Sequence, residues 1–154
     1  MTERINAATV APSAYRAVFG LELAVREFGL SPKLLHLVKL RASQINGCAF
    51  CIDMHAKEAL DDGEDPQRLH LLTAWRESPL YTPTERAALS WTETVTRLAD
   101  GAPSDADYQS ALEALGEDHL VKLTVAIGTI NVWNRLAASF RTPHPIGMDA
   151  RVGG

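Results

Sequence analysis

The chain of 154 residues holds two cysteines, Cys48 and Cys51, and they stand three positions apart. A bridge between them would close a loop too short to restrict the unfolded chain much, so disulfides cannot hold this fold together. A secreted disulfide scaffold is excluded. A single domain over residues 1–154 has to rest on a buried apolar core, and a composition of 46% hydrophobic and 22% charged residues supplies one. Close thiols without a scaffold role point to a reducing compartment, and a cytoplasmic location is expected. The formal net charge of −4 offers nothing to a nucleic acid or an anionic membrane. No apolar run approaches the ~18 residues of a membrane span, and Met1 to Asn6 lacks the apolar stretch of a signal peptide. Neither anchor nor leader is expected.

Proline and glycine punctuate the chain into about seven helical stretches, and no repeat or low-complexity tract interrupts them. Pro12 opens a stretch to Phe28, closed by Gly29. Ser31-Pro32 reads as an N-cap with proline at the first helical position, and Asn46-Gly47 ends that helix. A third stretch runs from Cys48 to Leu60, and a short fourth from Asp65-Pro66 to near Trp75. Thr82-Pro83-Thr84-Glu85 is a capping box opening a helix to about Asp100. Ser104 caps a sixth stretch ending at Gly116, and the seventh spans Glu117 to Phe140 before Pro143. No segment alternates apolar and polar residues long enough to read as a strand. The class is all-α. The tail from 145 to 154 is expected to be loosely held.

The Ser31–Asn46 stretch carries Leu34, Leu35, Leu37, Val38, Leu40, Ala42 and Ile45, apolar on nearly every side. Such a helix is buried deep in one chain or shared between copies. A bundle of this size has limited room for it, so a homo-oligomer is expected.

The chemistry concentrates at Cys48-Ala-Phe-Cys-Ile-Asp-Met-His55. At about 100° per helical residue, Cys48, Cys51 and His55 fall within roughly a 60° arc of one face. Cys51 and His55 are an i, i+4 pair. Cys48 lies at the helix start, where free N–H groups favour a thiolate. Thiolate, imidazole and a second thiol to trap the oxidised sulfur are the parts that thiol redox chemistry needs. Two other readings stay open. A zinc site would need His55 and a distant fourth ligand, because no second Cys-x-x-Cys exists. Both cysteines could also be inert core residues. Covalent haem is excluded, since no histidine follows Cys51 directly.

The run from Leu37 to His55, with Trp75-Arg76, Thr84 to Leu89 and Ile130 to Arg135, resembles the AhpD-like alkylhydroperoxidase branch of the carboxymuconolactone decarboxylase family. The resemblance covers about 12–141. It implies an all-helical subunit assembling into trimers or hexamers, and a cysteine-based peroxidase or disulfide reductase. Carried over by position, it makes Cys51 the peroxidatic cysteine, Cys48 the resolving one and His55 the proton-relay base. The helix-start argument taken alone favours Cys48 as the attacker instead. The implied partners are a hydroperoxide substrate and an external dithiol or disulfide reductant, with no metal, flavin or nucleotide. One position departs from the family motif, which places a glutamate twelve residues before the first cysteine. Here that residue is His36, either a substitute relay group or only a polar residue lining the pocket. The alternatives are a decarboxylase or lactone-processing enzyme of the wider family, and a non-enzymatic redox or metal-binding oligomer.

The remaining candidates have simpler readings. His70, His119 and His144 are isolated and read as surface or capping residues. Asp53 and Lys57 form a solvated i, i+4 pair. Asn131, Asn134 and Arg135 need partners in so apolar a helix, which points to a structural network or a subunit contact. Arg41 and Gln44 flank the thiol turn and are candidates for orienting it. Tyr15, Phe19 and Trp91 are expected in the core.

Overall fold

A computed structural model describes residues 2–146, so most of the expected loose tail lies outside the described residues. The described part is helical throughout, with no strand. Its elements are α1 (Ala7–Val10), α2 (Pro12–Arg26), α3 (Pro32–Ile45), α4 (Ala49–Asp61), α5 (Pro66–Leu71), α6 (Pro83–Thr96) and α7 (Asp105–Phe140). Short 3₁₀ turns extend α5 over Leu72–Ala74 and follow α6 at Leu98–Asp100.

The punctuation acts as its residue types require. Pro12, Pro32, Pro66 and Pro83 all stand at a helix start, where a missing N–H costs nothing. Thr82 with Glu85, and Ser104 with Asp107, form complete capping boxes. Ser31 precedes Pro32, but its side chain makes no capping bond. Within α7 the sixth and seventh expected stretches meet at Gly116, as read from the sequence; its φ of 74° and ψ of 163° are non-helical and suit glycine alone. The four-residue α1 carries no periodicity in sequence and was not expected; Asn6 caps it through Thr9 N–H.

Helix α3 is the axis of the bundle. Leu34, Leu35 and Val38 face a core shared with α6 and α7, which includes Trp91, Leu123 and Ile127. Leu37 and Leu40 face a second core with Ala59, Leu72, Trp75 and Leu89. Its all-round apolarity is therefore satisfied by α4, α6 and α7 of the same chain. The inference from α3 to a second subunit loses its basis. Exposed apolar residues lie instead on α2, where Phe19, Leu21 and Leu23 are each 39–48% exposed. Tyr15 and Phe19 are thus not core residues as expected, whereas Trp91 is. Fully burying a side chain the size of Leu37 contributes about 1.5–3 kcal/mol.

One charged residue sits within this apolar helix. Lys39 is buried and pairs with Glu22, also buried, which fastens α2 to α3. No helix among the described residues is long and apolar enough to cross a membrane.

Candidate active site

The site is built on the turn between α3 and α4. Gly47 adopts φ 63°, the left-handed conformation that ends many helices. It lets Cys48 N–H reach Ser43 C=O at 3.0 Å and Gly47 N–H reach Gln44 C=O at 3.2 Å, the paired bonds of a Schellman closure. Cys48 then serves as the N-cap of α4, with φ −86° and ψ 95°. It is not a helical residue. Only Cys51 and His55 keep the helical spacing read from the sequence, and Cys48 joins them by folding its sulfur back over the first turn. Its Sγ accepts the Cys51 N–H at 3.4 Å.

Both cysteines are unbridged and 1% exposed. They differ in outlook. A cavity of about 250 Å³ reaches Cys51, His55 and Glu58 but is not lined by Cys48. Its walls are Tyr15 and Phe19 of α2, Phe50 and Met54 of α4, and Trp133 and Leu136 of α7. Tyr15 and Trp133 meet edge to face with centroids 5.1 Å apart. The two aromatics misplaced in the core by the sequence are therefore cavity walls.

Charge favours the other sulfur. The Cys51 thiol donates to Cys48, and the Cys51 amide and the Asn134 side chain assist, against burial; together they bring Cys48 down to about 7. Cys51 is pushed well up, first by holding its proton on Cys48 and then by burial. Of the two sulfurs, Cys48 is the one these surroundings favour as the thiolate. Moving that one proton between the sulfurs puts the negative charge on the cavity side.

His55 is 3% exposed. Its Nδ1 lies 2.8 Å from Glu58 Oε2, while Nε2 is buried without a hydrogen-bond partner among the described residues. Glu58 is held below the usual carboxylate range, first by the His55 hydrogen bond and against burial, with charge from His55, Lys39 and His36 assisting. His36 points its Nε2 to Asp62 at the end of α4, 2.6 Å away, and does not line the cavity. Three of the four candidate residues thus meet at one turn, two of them open to the cavity, and His36 stands apart.

Polar residues on α7 hold the turn in place. Asn46 Nδ2 donates to Asn131 Oδ1 at 3.0 Å and to Asn134 Oδ1 at 2.8 Å. Asn134 Nδ2 donates to Ser43 Oγ at 3.0 Å. This is a network within one chain. Arg41 does not touch the thiols: it meets Glu93 at 2.7 Å and Gln44 at 3.3 Å. Glu93 is buried and also accepts from Trp75 Nε1 and Arg76. His70, His119 and His144 are exposed, and Asp53 and Lys57 pair at 2.7 Å at the surface. No group of three or more potential metal ligands occurs among the described residues. The sequence reading missed Glu58 and Glu93. A glutamate three residues after a buried histidine was the available signal for the first.

A model of the carboxymuconolactone decarboxylase family matches residues 12–94, which include both cysteines and His55. The uncharacterized protein YdfG of Bacillus subtilis (strain 168) is 36% identical over 137 residues, covering 89% of this chain and 93% of YdfG. A crystal structure of ATU0492 from Agrobacterium tumefaciens, a protein of unknown function provisionally assigned as the antioxidant defence protein AhpD, superposes with a TM-score of 0.93. The two are 47% identical, with 95% of this chain and 100% of that one covered. The debrominase Bmp8 shares the fold at a TM-score of 0.79, with 17% identity over 87% of this chain and 72% of its own.

Proposed function

The chain belongs to the carboxymuconolactone decarboxylase family, in its AhpD-like branch, and from that premise we propose that it is a thiol-dependent peroxidase regenerated by an external dithiol. The observation that carries this reading is the cavity. It is lined by Cys51 and by His55, a buried histidine whose Nε2 has no hydrogen-bond partner among the described residues, with a second cysteine directly behind Cys51.

The cycle uses the two sulfurs in different roles. The Cys51 proton passes to His55 Nε2, making an imidazolium and leaving a thiolate facing the cavity. That sulfur attacks the terminal oxygen of a hydroperoxide and the O–O bond breaks. Cys51 becomes a sulfenic acid, and the departing alkoxide takes a proton from the His55 imidazolium to leave as an alcohol. The Cys48 thiolate then attacks the Cys51 sulfur, the S–O bond breaks, and the departing hydroxide takes a proton from solvent to leave as water. One peroxide has taken two electrons from two thiols. An external dithiol restores them by exchange. The aromatic and aliphatic walls suit an organic hydroperoxide, because they bury apolar surface that hydrogen peroxide lacks.

In this reading the protein works in the cytoplasm as a homotrimer or homohexamer, and the exposed apolar residues of α2 are compatible with such contacts. Light scattering after size-exclusion chromatography measures the assembly. The function itself is tested by stopped-flow with an organic hydroperoxide and a dithiol reductant. Wild type should consume peroxide and Cys51→Ser should not. Equal slow rates for the two would sink the proposal, and turnover that survives loss of both cysteines would favour chemistry of the wider family.

A further inference from the structure

Position 36 holds a histidine turned toward Asp62, so α3 supplies no carboxylate to the relay histidine. A carboxylate reaches that histidine from its own helix instead. Glu58 lies three residues after His55, the spacing at which helical side chains meet, and its Oε2 is 2.8 Å from His55 Nδ1. We propose that Glu58 is the positioning residue of the thiol site, fixing His55 as the Nδ1–H tautomer so that the lone pair of Nε2 faces Cys51 and the cavity.

The argument is one of donors and acceptors. An ionised carboxylate only accepts, so the ring nitrogen beside Glu58 carries the hydrogen. A neutral imidazole has one N–H, which leaves Nε2 as the acceptor. Nε2 is buried with no hydrogen-bond partner among the described residues, and it belongs to a residue that lines the cavity. When Nε2 takes a proton, the cation stands against a carboxylate already in place. Glu58 is 41% exposed at its side chain, against 4% for His55, so it also links a buried ring to solvent.

The surroundings keep Glu58 ionised. The His55 hydrogen bond is the main cause, acting against burial, and charge from Lys39 and His36 of α3 assists; Glu22 of α2 is occupied by Lys39. Glu3 and Arg26 complete the charged groups around the cavity. The proposal rests on the reading of His55 as the relay base. It adds that the orienting carboxylate comes from α4 itself.

The test is ¹⁵N NMR of the histidine ring in the reduced full-length chain, at a pH where imidazoles are neutral, alongside peroxide kinetics. Wild type should show His55 as Nδ1–H. Glu58→Gln, whose amide oxygen can still accept, should keep that tautomer, whereas Glu58→Ala should lose it. The alanine variant should lower kcat about ten- to hundredfold with KM little changed, and the glutamine variant should lie between. An Nε2–H ring in wild type, or a ring unchanged in Glu58→Ala, overturns the assignment. The ring spectrum does not depend on turnover. Failure of the peroxidase reading would show as absent turnover with the tautomer shift intact.

Discussion

Asn46 and Asn134 are joined by a 2.8 Å hydrogen bond that spans 88 positions of sequence and ties the thiol turn to the middle of α7. Asn134 is 1% exposed, and its other bond goes to Ser43. Replacing it with leucine would remove one bond from each neighbour, leaving Asn46 with Asn131 and Ser43 with the Lys39 C=O, at a cost of about 0.5–1.5 kcal/mol per bond in urea unfolding. Asn134 also draws both thiols toward ionisation. In Asn134→Leu the thiolate should therefore appear at higher pH than in wild type. A loss of stability with no change in thiol titration would confine Asn134 to a structural role.

One thiolate should form in the reduced protein with a midpoint near 7, because the Cys51 thiol and amide both donate to Cys48. A thiol pKa lowered in this way makes reactivity rise as pH rises through that midpoint. Ultraviolet thiolate absorbance should lose this step in Cys48→Ser. Removing the donor in Cys51→Ala should move it upward. A step that persists unchanged without Cys48 would assign the charge to the wrong sulfur.

Glu93 should be a principal electrostatic anchor of the fold. Burial disfavours its charge, but bonds from Trp75, Arg76 and Arg41 outweigh burial and hold it below the usual carboxylate range. Glu93→Ala would strand Arg41, whose side chain is 11% exposed, and a broken buried pair costs about 3–5 kcal/mol. The sign with pH follows from the lowered value. The contribution is complete above the ordinary value of 4.5 and is lost as pH falls through the lower folded one. Chemical denaturation of wild type and variant should therefore converge in acid. Parallel curves at every pH would show that the carboxylate charge is not what stabilises.

Gly47→Ala should be costly although a methyl group there meets nothing within 4 Å. The penalty is conformational, since φ 63° costs an L-residue about 1–2 kcal/mol. Thermal unfolding should show that loss, and peroxide turnover should fall with it as Cys48 shifts. Full stability in the variant would mean that the turn has another conformation available.

The helices were legible because their ends carry specific chemistry. Thr82-Pro83-Thr84-Glu85 and Ser104 announce their caps, and Gly116 marks its break. The thiol triplet was legible for a similar reason, since Cys51 and His55 need only helical periodicity to meet. Cys48 was misplaced because a Schellman turn moves it out of the helix, which counting residues does not reveal. Tyr15 and Phe19 have the spacing of core residues, and only tertiary packing decides that α2 shows them to a cavity. Glu93 was hidden for another reason. Its partners come from two distant segments, Arg41 on α3 and Trp75-Arg76 after α5, and no local pattern connects them to it.

Cys48 closes α3 and opens α4 with the same backbone, leaving no spare residue between the two helices. Adding or deleting a residue between Ser43 and Cys48 would break the shared closure and turn α4, with Cys51 and His55 together, relative to α3 and α7. Length variation should thus be forbidden in this stretch even where side chains can change. A designer seeking altered chemistry in this scaffold would substitute here and reserve insertions for the connections around α5.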